Sequence, residues 1–284
     1  MKISLITRAA LQTALSLGVL LSAAAAAEVP VRRVTLDDGF HLLYNLDFAD
    51  AHQVFLSWQE GHPDDPMGPA CEAAGLLFSE FNRLGVLEAQ FYEDDKVFQA
   101  RKKLRPDPAI RDRFNAALTL AETRAKARLA KDPRDGDALF AMTLASGLRS
   151  DYAALIDKSN FTALRYTKDA NTWAGRLLAV NPQCYDAYVA TGFSKYIVGT
   201  MAAPVRWLVR LRGVSGDKKA GISELQLTAQ RGRYLAPFAR ILLAIAYVRE
   251  KDKPRAREML ASLRDDFPKN PLFAREIARL DSLH

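Results

Sequence analysis

Apolar and polar positions alternate most regularly between Pro237 and Asn270 (PFARILLAIAYVREKDKPRAREMLASLRDDFPKN). Leu243, Ala244 and Tyr247 share one helical face, and so do Ala256, Leu260 and Leu263, because 3.6 residues make a turn. Lys251-Asp252-Lys253-Pro254 is a polar turn between the two runs, and Pro268 stops the second. The stretch predicts one helix-turn-helix unit of 34 residues. A single unit cannot bury its apolar face, so copies are expected elsewhere.

The second helix supplies a ruler: a small residue, an apolar one four on, another seven on, and a Pro twelve on. It fits at Ala51, Phe55, Trp58, Pro63; Ala121, Ala125, Arg128, Pro133; Ala170, Ala174, Leu177, Pro182; and Ala256, Leu260, Leu263, Pro268. Arg128 is its clear departure. Ten residues past each Pro the next helix should place another small side chain, at Ala73, Thr143, Gly192 and Ala278. Asp65-Pro66 and Asn270-Pro271 pair a capping side chain with a Pro suited to a first helical turn, and Asp135 and Asp186 are further caps.

Arg32–Asp65 therefore reads as a near-complete repeat, with Leu42–Tyr44 in its first helix and Asn45–Asp47 at its turn. Ala70–Leu84, Ala109–Lys131, Asp137–Arg149, Asp169–Val180, Asp186–Val198 and Pro271–Leu283 are expected helices. Tyr152–Tyr166 holds another helical segment, with a loop near Asp157–Asn160. The period fails twice: at Val86–Leu104, read as a helical insertion, and at Pro204–Leu225, where Gly213, Gly216 and Gly221 mark bends.

The whole pattern resembles a tetratricopeptide-repeat protein of the bacterial cell envelope, with small residues where paired helices approach. From about Gln183 onward it also resembles, more weakly, a eukaryotic tetratricopeptide family linked to outer membranes and lipid droplets. Pro204, Leu208, Leu211, the run Gly213-Val214-Ser215-Gly216-Asp217, Gly221 and Leu225 carry that second likeness, with Pro268 and Phe273. What the resemblance implies is an all-α fold and no shared catalytic motif. The expected architecture is antiparallel helix pairs stacked in a right-handed superhelix or a compact variant of it, with irregular insertions.

Composition fits this picture: 49% hydrophobic and 26% charged residues suit a globular protein. Residues 1–27 read as a signal peptide, with Lys2 and Arg8, the apolar run Leu11–Leu21 and a small-residue stretch Ala23–Ala27. The repeat domain would then be 28–284, exported to the periplasm or cell envelope, with Glu28–Leu36 an extended lead-in. Removing Lys2 and Arg8 lowers the net charge from +7 to +5, a mild excess that does not call for nucleic acid. An oxidising compartment permits a disulfide between Cys71 and Cys184, but separate places along the array favour two thiols.

Candidate chemistry is sparse. No phosphate loop, dinucleotide fingerprint, zinc-protease helix or nucleophile elbow is present. Ser215 in GVSGD reads as a turn. His62, Asp64 and Asp65 are conceivable metal ligands, but the two acids suit turn and cap roles better. The sequence thus predicts no catalytic, metal or cofactor site and a non-enzymatic scaffold whose partner is a protein or peptide. Its ligand groove would draw on Tyr188, Lys195, Arg240 and Tyr247. Arg206, Trp207 and Arg210 compose the alternative, a short helix facing a membrane surface; an enzyme with an unrecognised site is the third reading.

Overall fold

In the computed structural model, residues 34–87, 104–211 and 215–282 are described. The expected signal peptide, most of the lead-in and most of the Val86–Leu104 insertion lie outside them. Every regular element among the described residues is helical. In chain order these are α1 (Leu36–Tyr44), α2 (Phe48–Gly61), α3 (Met67–Arg83), α4 (Pro108–Lys131), α5 (Gly136–Asp151) and α6 (Asn160–Val180). They continue with α7 (Tyr188–Thr200), α8 (Ala203–Leu211), α9 (Lys218–Arg231), α10 (Ala236–Arg249), α11 (Lys253–Asp266) and α12 (Pro271–Ser282). A π-helical turn, Tyr152–Ile156, extends α5.

Neighbours in sequence are neighbours in space, so the pairs α1–α2, α3–α4, α5–α6, α7–α9 and α10–α11 build a tetratricopeptide-like superhelix. The α8 helix stands outside the pairing. The loop expected near Asp157–Asn160 is shorter than predicted, and α6 runs unbroken from Asn160, swallowing the separate Asp169–Val180 helix.

The ruler marks the pair interfaces. Ala51, Ala121, Ala174 and Ala256 are fully buried, as are Phe55, Ala125, Leu260 and Leu263. Each buried Leu of this kind contributes roughly 1.5–3 kcal/mol of transfer free energy. The four Pro residues stop four helices in one way. Each helix ends two residues earlier, at Gly61, Lys131, Val180 and Asp266. The residue between, His62, Asp132, Asn181 or Phe267, has φ of −137°, −135°, −136° or −129°. A following Pro keeps that residue out of helical conformation.

Turns inside the pairs use a different device. After α1, the Leu46 N–H donates to Leu43 O at 3.0 Å and the Asp47 N–H to Leu42 O at 3.0 Å. After α10, the Lys251 N–H donates to Val248 O at 3.1 Å and the Asp252 N–H to Tyr247 O at 2.8 Å. Both are Schellman turns. Each places a non-glycine residue, Leu46 (φ 64°) or Lys251 (φ 61°), in the left-handed region.

Two sequence departures find physical reasons. Arg128 stands where the ruler wants an apolar side chain. It donates to Asp135 through Nε (2.7 Å) and Nη2 (3.1 Å) and lies 3.8 Å from Asp65. Those two carboxylates sit at the starts of α3 and α5: Asp65 accepts from the Met67 N–H and Asp135 from the Ala138 N–H. Arg128 thus ties one junction to the next. Ala278, expected to be a packed small residue like Ala73, Thr143 and Gly192, is exposed. It lies on α12, which closes the array by packing chiefly on α11, so the opposite side meets solvent. Gly192 and Gly221 let α7 and α9 touch: a Cβ at Gly221 would stand 2.6 Å from Gly192 O and 2.5 Å from Tyr196 N.

The array closes on itself. Phe40 of α1 stacks on Tyr234, just before α10, at 5.1 Å, and Phe140 of α5 faces the same ring at 6.3 Å. Phe78 of α3 meets Phe238 of α10 edge-on at 5.8 Å. The Tyr44 hydroxyl donates to Tyr234 O at 2.9 Å, and the Asn270 side-chain amide donates to Tyr44 O at 2.9 Å. Asn270 also caps α12 through the Leu272 N–H at 3.0 Å.

Candidate functional site

Stacked helix pairs of this kind offer a concave face lined by the first helix of each pair. Here side chains of α1, α3 and α5 meet α10 and Tyr234 just before it through the aromatic contacts named above. Asp186 holds the seam from below. It was expected to cap its own helix, yet its buried carboxylate accepts from the backbone N–H groups of Arg233 (3.0 Å), Tyr234 (3.3 Å) and Leu235 (2.8 Å). It therefore caps α10, and a 3₁₀ turn at Tyr185–Ala187 opens its own helix. Burial pushes the Asp186 carboxyl above the usual carboxylate range while the three N–H donors pull it back.

The four groove candidates do not converge on an open channel. Tyr188 is half-buried and its hydroxyl reaches Pro182 O at 3.4 Å. The Lys195 ammonium pairs with Glu224. Arg240 donates to Ser262 Oγ (2.5 Å) and Asp266 (2.7 Å). Tyr247 is only 5% exposed, and its hydroxyl accepts from Gln226 at 2.9 Å. Tyr188 and Lys195 belong to α7, Arg240 and Tyr247 to α10, and each is held by its own neighbours. Position in the repeat placed them on first helices; it could not show which side chains of the adjacent helices engage them.

The outer flank is different. Trp207 is 61% exposed, Val205 49% and Phe161 68%. Arg206 is exposed too and donates to Gly199 O at 3.3 Å. The Arg210 side chain lies outside the described residues. Leu164 of α6 and Met201 pack against a small cluster of Val198 from α7 and Val209 from α8. A hollow of about 260 Å³ opens along the first turns of α6, lined by Phe161, Leu164, Arg165 and Lys168. Sequence reading singled out Trp207 and Arg206 but missed Phe161 and the hollow, because an apolar residue at a helix start looks like core until its neighbours are known.

The remaining candidates have settled roles. His62 stacks on Trp58 at 3.8 Å, and its Nδ1 is 2.9 Å from Trp58 O. The Trp58 indole donates to Asp65 at 2.5 Å. Among the described residues no group of three His, Cys, Asp or Glu side chains is placed to hold a metal. Cys71 is buried and Cys184 half-buried, both free thiols. Burial pushes the Cys184 thiol up to about 11 and the Cys71 thiol up as well, so neither is poised as a thiolate near neutral pH. Among the described residues no helix is long and apolar enough to cross a membrane.

No family model matches the sequence, and no curated protein matches it. Among solved structures, a thermophilic tetratricopeptide-repeat protein of Thermus thermophilus is similar at 16% identity. The match spans 88% of this chain and 100% of that one, with a TM-score of 0.43.

Proposed function

We propose that this chain is a non-enzymatic helical-repeat scaffold, exported to the periplasm or cell envelope, that binds a protein or peptide partner. The observation that carries the reading is the contrast within one array. Most apolar side chains of the helix pairs are buried, Leu120 on α4 being an exception, while Phe161 at the start of α6 and Val205 and Trp207 on α8, the helix outside the pairs, are 49–68% exposed. Exposed apolar groups gathered in one place, rimmed by charge, are the usual mark of a surface that meets another molecule. The signal-like residues 1–27 support export. The test is crosslinking pull-down from periplasmic extract with the chain from Glu28 onward as bait. Proteins enriched over an unrelated helical-repeat bait support the reading; identical catches overturn it.

A second reading draws on Trp207 and Arg206 side by side on an exposed helix, the composition of a membrane-surface contact. Vesicle flotation separates the two. If the chain floats with anionic vesicles and Trp207→Ala abolishes this, the helix belongs to lipid.

A further inference from the structure

The scaffold reading leaves open where the partner sits. Closure of the array packs rings from α1, α3 and α5 against α10 and Tyr234. The hollow along the first turns of α6, lined by Phe161, Leu164, Arg165 and Lys168, is instead open, at about 260 Å³. We infer that the α6–α8 flank is the partner site, and that it takes an acidic segment bearing one large apolar anchor side chain. This rests on the protein-binding reading above.

Size argues for a side-chain anchor. Clefts for small organic ligands usually span about 300–1,000 Å³, and this hollow falls below that range. A single Leu, Phe or Trp entering it would touch Phe161 and Leu164, with Trp207 and Val205 exposed on the adjoining helix. Such central anchors carry most of the energy of protein interfaces.

Charge supplies the second half. Segments 161–168 and 203–211 together hold Arg165, Lys168, Arg206 and Arg210 and not one acidic residue. Among the described residues no carboxylate pairs with Arg165, Lys168 or Arg206. The Arg165 guanidinium lies over the Tyr166 ring at 4.8 Å, and Arg206 donates to the Gly199 carbonyl. Asp169 sits at the edge of this surface, exposed. Elsewhere the basic side chains are commonly matched, as in Arg233–Asp37, Arg149–Glu122 and Lys218–Glu250. Unmatched cations around an apolar recess select an acidic partner and speed its approach. A recess also favours a peptide over a bilayer, which receives protruding side chains and offers no anchor to fill a hollow.

The test selects from a displayed library of random twelve-residue peptides against the chain from Glu28 onward, with a Phe161→Ser/Trp207→Ser double variant as the comparison. Both residues are exposed, and circular dichroism checks that the variant stays folded. Selected peptides should be rich in Asp and Glu around one aromatic or branched aliphatic residue. They should bind the double variant, and a separate Arg165→Glu/Lys168→Glu variant, at least tenfold more weakly. If selected peptides lack acidic residues, or bind parent and variants alike, peptide binding stands and this site falls. If no peptide is enriched but phosphatidylglycerol vesicles bind the chain through Trp207, the scaffold reading falls with it.

Discussion

Two parts of the array handle apolar surface in opposite ways. At the seam, α1 meets α10 and the α11–α12 junction, and Phe40, Tyr44, Phe267 and Leu43 are each at most 9% exposed. At the α6–α8 flank, Phe161, Val205 and Trp207 are 49–68% exposed. The residue types are alike; what differs is how much of each side chain its neighbours cover. The seam is covered because the array curls until its fifth pair reaches its first. At the flank α8 interrupts the alternation, and among its described side chains only Val209 is buried. Exposure at the flank follows from topology rather than from composition.

The comparison can be broken at its strongest point first. Phe55 is fully buried against Gly39, where an added Cβ would come within 2.2 Å of its ring. Phe55→Ala should cost about 3–5 kcal/mol in denaturant unfolding; a loss below 1 kcal/mol would mean the first pair is not packed as described. Asp186→Ala strands three backbone N–H groups at the seam and should cost about 2–3 kcal/mol.

Asp151, where α5 passes into its π-helical turn near the flank, gives a pH handle. Burial pushes its carboxyl up to about 7, against about 3.9 in an unfolded chain. Between those values the unfolded chain ionises while the folded one stays protonated. Its contribution to stability is therefore full below about pH 4 and is lost as pH rises towards 7. Asp151→Asn should be the more stable protein at pH 8 and lose that advantage at pH 4; parallel pH–stability curves would rule this out.

Arg233→Ala removes a solvent-facing pair with Asp37 at the rim of the seam and should cost less than about 1 kcal/mol. Trp207→Ser should shift stability by no more than about 0.5 kcal/mol while weakening peptide binding tenfold. A large drop in stability would show that the flank is core after all.

Much of this was legible in the chain. Ala51, Ala121, Ala170 and Ala256 announce helix crossings because the requirement is local: a small residue, a turn of helix, a Pro. The caps Asp65, Asp135 and Asn270 were legible for the same reason. Asp186 was not, because the helix it caps begins about fifty residues later and nothing near it in sequence signals that. The groove candidates Tyr188, Lys195, Arg240 and Tyr247 lie on first helices as the repeat dictates. Their engagement depends on Glu224, Ser262, Asp266 and Gln226, which come from neighbouring helices. Periodicity reports which face of a helix is buried; it does not report which polar side chains of the next helix will pair with it.

The bond from Asn270 to Tyr44 spans 226 positions of sequence, and that from Tyr44 to Tyr234 spans 190. An open array of repeats can fray from either end, one unit at a time, because each unit answers only to its neighbours. A latch of such long reach removes that freedom. Losing the first pair here would uncover the fifth, so the two should melt together, and the last step of folding must wait for a very long loop to close. Amide hydrogen exchange would show this as equal protection in α1 and α10, with α8 exchanging far ahead of both.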